Sequence, residues 1–153
     1  VSEAPADPRV FRRILVATDF SPASAPAFER ALGLARAMGA RLDVLHAYQE
    51  RALAELGYAP VGSFDAWDRE VRAQAAARLE PLVARARAAG VEAEPLLVTG
   101  FPDEAIVEAA RQRRADLVVV GTHGRRGAAR VMLGSVAARV VANAGCPVLT
   151  ERG

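Results

Sequence analysis

Short, unbroken apolar runs recur along this chain, each followed by a stretch with helical spacing, and few architectures accept that pattern. Ile14-Leu15-Val16-Ala17 and Leu117-Val118-Val119-Val120 have no polar face, so a strand made from either must be covered on both sides. Apolar strands that alternate with helices imply a parallel sheet between two helical layers. The expected fold is therefore a single-domain, three-layer α/β/α sandwich, with a doubly wound five-stranded parallel sheet of Rossmann-like type. Right-handed crossovers give an open twisted sheet, and ligands bind beyond the carboxyl ends of its strands, where strand order reverses. If the first and fourth strands are neighbours, Thr18-Asp19 and Gly121 emerge side by side at that point.

The remaining elements follow from local signals. Ser21-Pro22 reads as an N-cap with proline at the first helical position. The helix it opens carries Ala27, Phe28, Ala31, Leu34, Ala35 and Met38 at helical spacing and ends at Gly39. Leu42 to Ala47 gives the second strand. A polar stretch with Gly57, Pro60 and Gly62 reads as a mobile loop. A long helix is predicted from Phe64 to Ala89, closed by Gly90, with Pro81 kinking or splitting it. Val91 to Val98 gives the third strand, and Pro95 within it argues for a sheet edge. Pro102 starts a helix to Arg113, with Ile106 and Ala110 facing inward. Phe101 stands where a polar cap is usual and is expected to pack over a neighbouring helix. The last helix runs from Val136 to Asn143 with Ser135 opening it, and Cys146 to Thr150 forms the terminal strand.

Size and composition narrow the possibilities. With 153 residues and 52% hydrophobic content there is room for one well-filled core. Residues 1–11 read as a short tail and 12–153 as the domain. No apolar stretch approaches the roughly 20 residues of a membrane span, and the first residues lack a signal-peptide core. A lone Cys146 excludes an internal disulfide and fits a cytoplasmic location. All 20 basic residues are arginine. Without lysine there is no P-loop, so any phosphate must meet backbone N–H groups, hydroxyls, arginine or a metal ion. A net charge of +2 does not by itself imply nucleic acid, which is not the expected partner.

The chemistry concentrates after the fourth strand. Gly121-Thr122-His123-Gly124, nine further residues and then Gly134-Ser135 spell G-x2-G-x9-G-S between a buried strand and a helix start. Glycines admit close backbone approach, and a helix start offers unpaired N–H groups and positive dipole to an anion. The alternative is turn formation plus a serine N-cap at Ser135. Asp19 either braces the following helix or contacts a ligand, and its place at a strand's carboxyl end favours the ligand. His46, in an apolar run, reads as a satisfied core histidine; His123 either touches the ligand or shapes the loop. Neither has partners at zinc-site spacing. Arg125, Arg126 and Arg130 either neutralise phosphate or form a solvated face. Arg111, Arg113 and Arg114 are accounted for by the dipole of the helix they end. Ser135 lacks a nearby base and does not read as a nucleophile, and Cys146 reads as a small buried hydrophobe.

Val16-Ala17-Thr18-Asp19-Phe20-Ser21, Leu45-His46-Ala47, the glycine string and Cys146-Pro147-Val148, in this order, resemble the universal stress protein family over about Arg12 to Thr150. The glycine string is similar to that of the family's ATP-binding branch. The resemblance implies the adenine nucleotide alpha hydrolase-like variant of the fold, with strand order 3-2-1-4-5. It implies a homodimer in which Val148 to Thr150 pair across a two-fold axis, which would satisfy an exposed edge. It also implies ATP or another adenine nucleotide as ligand, with Mg²⁺ or Mn²⁺ bridging phosphates. Thr18 and Asp19 match positions that touch adenosine, and Ala47 matches the one whose backbone meets the adenine edge. Gly121 and Gly124 match the loop around ribose and phosphates; Gly134, Ser135 and Val136 match the phosphate-binding helix start. Ala17, Val120, His123 and Arg125 complete the expected ligand set.

The function expected on these grounds is an ATP-binding stress-response protein that acts as a nucleotide-dependent switch, read by an unidentified protein partner. Ligand would order the segment from Gly121 to Gly134 and the one around Gly57 to Phe64. Two alternatives stand beside it. One is a slow ATP hydrolase or nucleotidyl-transfer enzyme, for which Asp19 is the only candidate base; the other is a nucleotide-independent dimeric scaffold.

Overall fold

The computed structural model describes residues 7, 10–49, 64–123 and 132–153. Along the chain run β1 (Arg13–Ala17), α1 (Ala25–Met38), β2 (Arg41–Tyr48), α2 (Phe64–Ala88), β3 (Ala93–Thr99), α3 (Pro102–Gln112), β4 (Leu117–Gly121), α4 (Ser135–Asn143) and β5 (Val148–Glu151). The five strands form one parallel sheet in the order β3-β2-β1-β4-β5. Order reverses between β1 and β4, which pair Ile14 with Leu117 and Val16 with Val119.

Both sheet faces are buried, as the apolar runs require. Ile14, Val16, Leu42, Val44, Leu117 and Val119 pack under α1 and α2, against Phe28, Ala31, Leu79 and Val83. Leu15, Leu45, Val118 and Val120 pack on the opposite face against Ile106, Ala109 and Ala110 of α3 and Ala137 and Val140 of α4. Burying a side chain of this kind stabilises a fold by about 1.5–3 kcal/mol. Pro95 lies in β3, an edge strand, where a missing ladder donor is tolerated.

Several local expectations are corrected. α1 begins at Ala25 behind Ser24, not at Ser21-Pro22. The Ser21 hydroxyl is engaged by Asp19, and the chain makes a separate turn, Ser24 N to Ser21 O, before the helix starts. Pro81 does not split α2, which continues through it. The bond Pro81 deletes would end on Ala77, and both residues are exposed, so water can take the freed carbonyl. Phe101, expected to pack over a neighbouring helix, is 54% exposed.

Arg113 does more than complement a helix dipole. Its guanidinium forks onto both Asp43 oxygens at 2.9 Å and also reaches Glu94. Arg41 meets the same carboxylates from β2. These partners hold the Arg113 guanidinium well above its ordinary pKa, Asp43 contributing most.

Cys146 is partly buried beside the α3/α4 core. Burial, then the Asp116 charge, pushes its thiol up. Alkylation by iodoacetamide at pH 8 should therefore run slower than for an unstructured cysteine, and urea should restore the ordinary rate. Equal rates in both states would contradict the burial.

Candidate functional site

Where β1 and β4 diverge, their carboxyl ends open a cleft of about 400 Å³. Ala17, Thr18 and Asp19 enter it from β1, Leu45 and Ala47 from β2, and Val120, Gly121, Thr122 and His123 from β4. Pro102 and Ile106 of α3 form one wall, and Met132 to Ala137 lead into α4 along another. Ten of the twelve candidate residues thus line one cavity: Ala17, Thr18, Asp19, Ala47, Val120, Gly121, His123, Gly134, Ser135 and Val136. Gly124 and Arg125 lie outside the described residues, as do Arg126, Arg130, Gly57, Pro60 and Gly62. Ser24, Leu45, Pro102, Ile106, Thr122, Met132, Leu133 and Ala137 also line the cleft. Leu45 and Thr122 belong to the quoted motifs; the others carry none, and only the folded chain brings them there.

The β1 side is a closed circuit of hydroxyl bonds. Thr18 N continues the sheet to Leu45 O at 2.8 Å. Its hydroxyl accepts Phe20 N at 3.0 Å and meets the Ser24 hydroxyl at 3.1 Å. Ser24 Oγ donates to Ser21 O at 2.9 Å, so the remaining proton in that pair comes from Thr18. Asp19 Oδ1 accepts both Ser21 N, at 2.9 Å, and the Ser21 hydroxyl. Asp19 therefore both braces the loop and faces the cleft. His46 is satisfied as expected: its Nδ1 donates to Thr18 O at 2.8 Å.

The β4 side is built from backbone. Thr122 N donates to Glu151 O at 2.9 Å, and Thr122 O accepts Gly134 N at 2.7 Å, which fastens the start of α4 to β4. Gly134 is the N-cap, not Ser135, and no side chain among the described residues caps the helix. The first N–H groups of α4 have no acceptor within the helix, and they open where Ser135, Val136 and Ala137 line the cleft. His123 Nδ1 meets the Thr122 hydroxyl at 3.0 Å, while its Nε2 is buried with no partner among the described residues. A buried polar atom of that kind is costly unless something pairs with it.

These groups suit a ligand with an anionic end and an apolar body. Uncapped N–H groups and the helix dipole favour the anion, and Leu45, Ala47, Pro102 and Ile106 supply an apolar wall. A metal has less to hold it. No group of three or more potential ligating side chains occurs among the described residues, and Asp19 is the one carboxylate described in the cleft. A divalent ion here would depend on phosphate oxygens for most of its coordination.

The model of the universal stress protein family matches residues 11–152. Universal stress protein YxiE of Bacillus subtilis is 34% identical over 148 residues, covering 94% of this chain and all of the relative. A crystal structure of a universal stress protein in complex with cAMP superposes with a TM-score of 0.67 at 32% identity, covering 94% of this chain and 98% of that one. The universal stress protein of Archaeoglobus fulgidus in complex with dAMP gives 0.65 at 26% identity, covering 92% and 98%.

Proposed function

The chain belongs to the universal stress protein family, and on that premise we propose that it binds an adenine nucleotide in the cleft between β1 and β4, as a regulatory ligand. The observation that carries this reading is the uncapped start of α4, opening onto the same cavity as Asp19 and the β2 backbone at Ala47. Phosphate takes the N–H groups at Ser135 and Val136, with His123 Nε2 as a further donor. Adenine lies against Leu45, Ala47 and Ile106 and meets the Ala47 backbone, and the ribose faces Asp19. The complexes of family members with cAMP and dAMP support an adenine ligand. ATP, with Mg²⁺ or Mn²⁺ carried on its own phosphates, is the form expected from the glycine string. The protein acts as a switch when a partner prefers one ligand state over the other, and as a homodimer through β5. Hydrolysis is the weaker reading, since Oδ1 of Asp19 is already committed to Ser21.

Ser135→Pro tests the phosphate contact cleanly. Gly134 is extended at ψ 157°, so proline fits the first helical position without disturbing the residue before it. The substitution removes the Ser135 N–H and its hydroxyl and little else. A hydrogen bond to a charged group is worth about 1.5–3 kcal/mol, so calorimetric titration of nucleotide-stripped protein should show affinity for ATP and AMP falling at least ten-fold, with the melting temperature nearly unchanged. Unaltered affinity in this variant would place the phosphate elsewhere, and no heat from wild type with ATP, AMP or cyclic AMP would remove the nucleotide reading.

A further inference from the structure

Phe20, the residue directly after Asp19, holds φ at 62°. Residues with a Cβ avoid this left-handed region, and they persist there only where their surroundings over-determine them. Phe20 does not line the nucleotide cleft; it lines a second cavity of about 330 Å³ that shares Thr18 and Ser24 with it. Three contacts fix it. Its N–H donates to the Thr18 hydroxyl at 3.0 Å. Its ring lies 4.4 Å from that of His46, tilted by 36°. The Arg78 guanidinium of α2 lies over the ring, 4.5 Å from its centroid.

His46 closes the circuit. Because the Thr18 carbonyl can only accept, the proton must reside on His46 Nδ1. The ring that stacks on Phe20 is thus the ring that holds the Thr18 peptide. The left-handed turn also returns the Ser21 N–H to Asp19 Oδ1 at 2.9 Å. If Phe20 relaxed to negative φ, that donor would leave and the carboxylate could swing.

We propose that Phe20 is a positioning residue for the nucleotide site: held by ring contacts to both His46 and Arg78, it fixes the Thr18-Asp19 peptide and couples that loop to α2. This rests on the nucleotide reading above. The ring supplies the hold and the backbone supplies the geometry, so the two separate by substitution. Phe20→Tyr keeps both, Phe20→Gly keeps an unstrained left-handed turn without the ring, and Phe20→Ala keeps the strain and the N–H bond to Thr18 but loses both ring contacts. Arg78→Ala removes one of the ring contacts from an exposed position on α2 that does not line the cleft.

Calorimetric titration with AMP, together with the imidazole N–H signal of His46 in proton NMR, decides the matter. Phe20→Tyr should bind like wild type, and Phe20→Ala about ten-fold more weakly, as strain left without the ring contacts implies. Phe20→Gly should fall between them, and Arg78→Ala should lose about three-fold, the scale of an exposed cation–π contact. The His46 N–H should be slow to exchange in wild type and Phe20→Tyr and lost in Phe20→Ala. Wild-type affinity in Phe20→Ala, or affinity that tracks melting temperature alone across the series, overturns the proposal. If Phe20→Ala fails to fold, an Arg78→Ala affinity equal to wild type overturns it instead. Absence of AMP binding in wild type would overturn the nucleotide reading and the ligand half of this one; the hold on the loop then stands or falls on the His46 signal.

Discussion

Arg113→Ala is expected to cost the fold about 3 kcal/mol, near the lower end of the 3–5 kcal/mol seen when one partner of a buried ion pair is removed. Asp43 sits in β2 with its side chain 7% exposed, and both its oxygens are held by the Arg113 fork. Truncating Arg113 leaves that carboxylate with Arg41 at 3.4 Å. The lower end applies because Arg113 itself is 31% exposed and water can reach part of the gap. The midpoint of urea unfolding should fall accordingly. Substituting both partners together, Asp43→Leu with Arg113→Met, should recover most of the loss, since an apolar pair needs no desolvated charge. A single variant that unfolds at the wild-type urea concentration would show the pair to be incidental. The network lies toward the amino ends of the strands, away from the cleft, so nucleotide affinity of the folded variant should not change.

That network marks where sequence reading stops. Strand identity is legible in Ile14 to Ala17 and Leu117 to Val120 because a strand covered on both faces must be apolar throughout. The edge position of β3 is legible in Pro95, since only an edge spares a ladder donor. Gly39, at φ 63°, marks the end of α1 because few other residues turn a helix that way. His46 is legible as a hydrogen-bonded strand residue, although it is half-buried and not in the core, and its acceptor, Thr18 O, is not legible. What fails is whatever depends on a distant partner. Asp43 and Arg113 stand 70 positions apart, and nothing local distinguishes Arg113 from the arginines around it. Ser21 carries the usual signal of a helix start, yet Asp19 takes its hydroxyl and the helix waits until Ala25. The left-handed backbone at Phe20 has no signal at all, because glycine is the residue that announces such a turn. Ile106, Met132 and Leu133 reach the cleft only through the packing of α3 and α4.

The glycine string itself has a second cause, and Gly134→Val separates it from the first. A Cβ on Gly134 would lie 2.8 Å from Thr122 O. That oxygen cannot withdraw: it accepts Gly134 N at 2.7 Å, and its own residue is bound through Thr122 N to Glu151 O in β5. The start of α4 must move instead, taking the N–H groups of Ser135 and Val136 out of register with any phosphate. Overpacking of this kind costs roughly 1–3 kcal/mol, several degrees of melting temperature for a domain of this size, and the loss should appear without ligand. Nucleotide heat should vanish as well. Gly121→Ala should be milder, because its Cβ would meet Ala23 O at 3.2 Å and His123 O at 3.3 Å, contacts that a small shift relieves. Set beside Ser135→Pro, which is expected to lose affinity while keeping stability, the three variants divide the string into parts. Gly134 joins α4 to β4, Ser135 presents the donor, and Gly121 lets the β1–α1 loop approach. A Gly134→Val protein that melts with wild type but binds nothing would show that this glycine is reserved for the ligand alone.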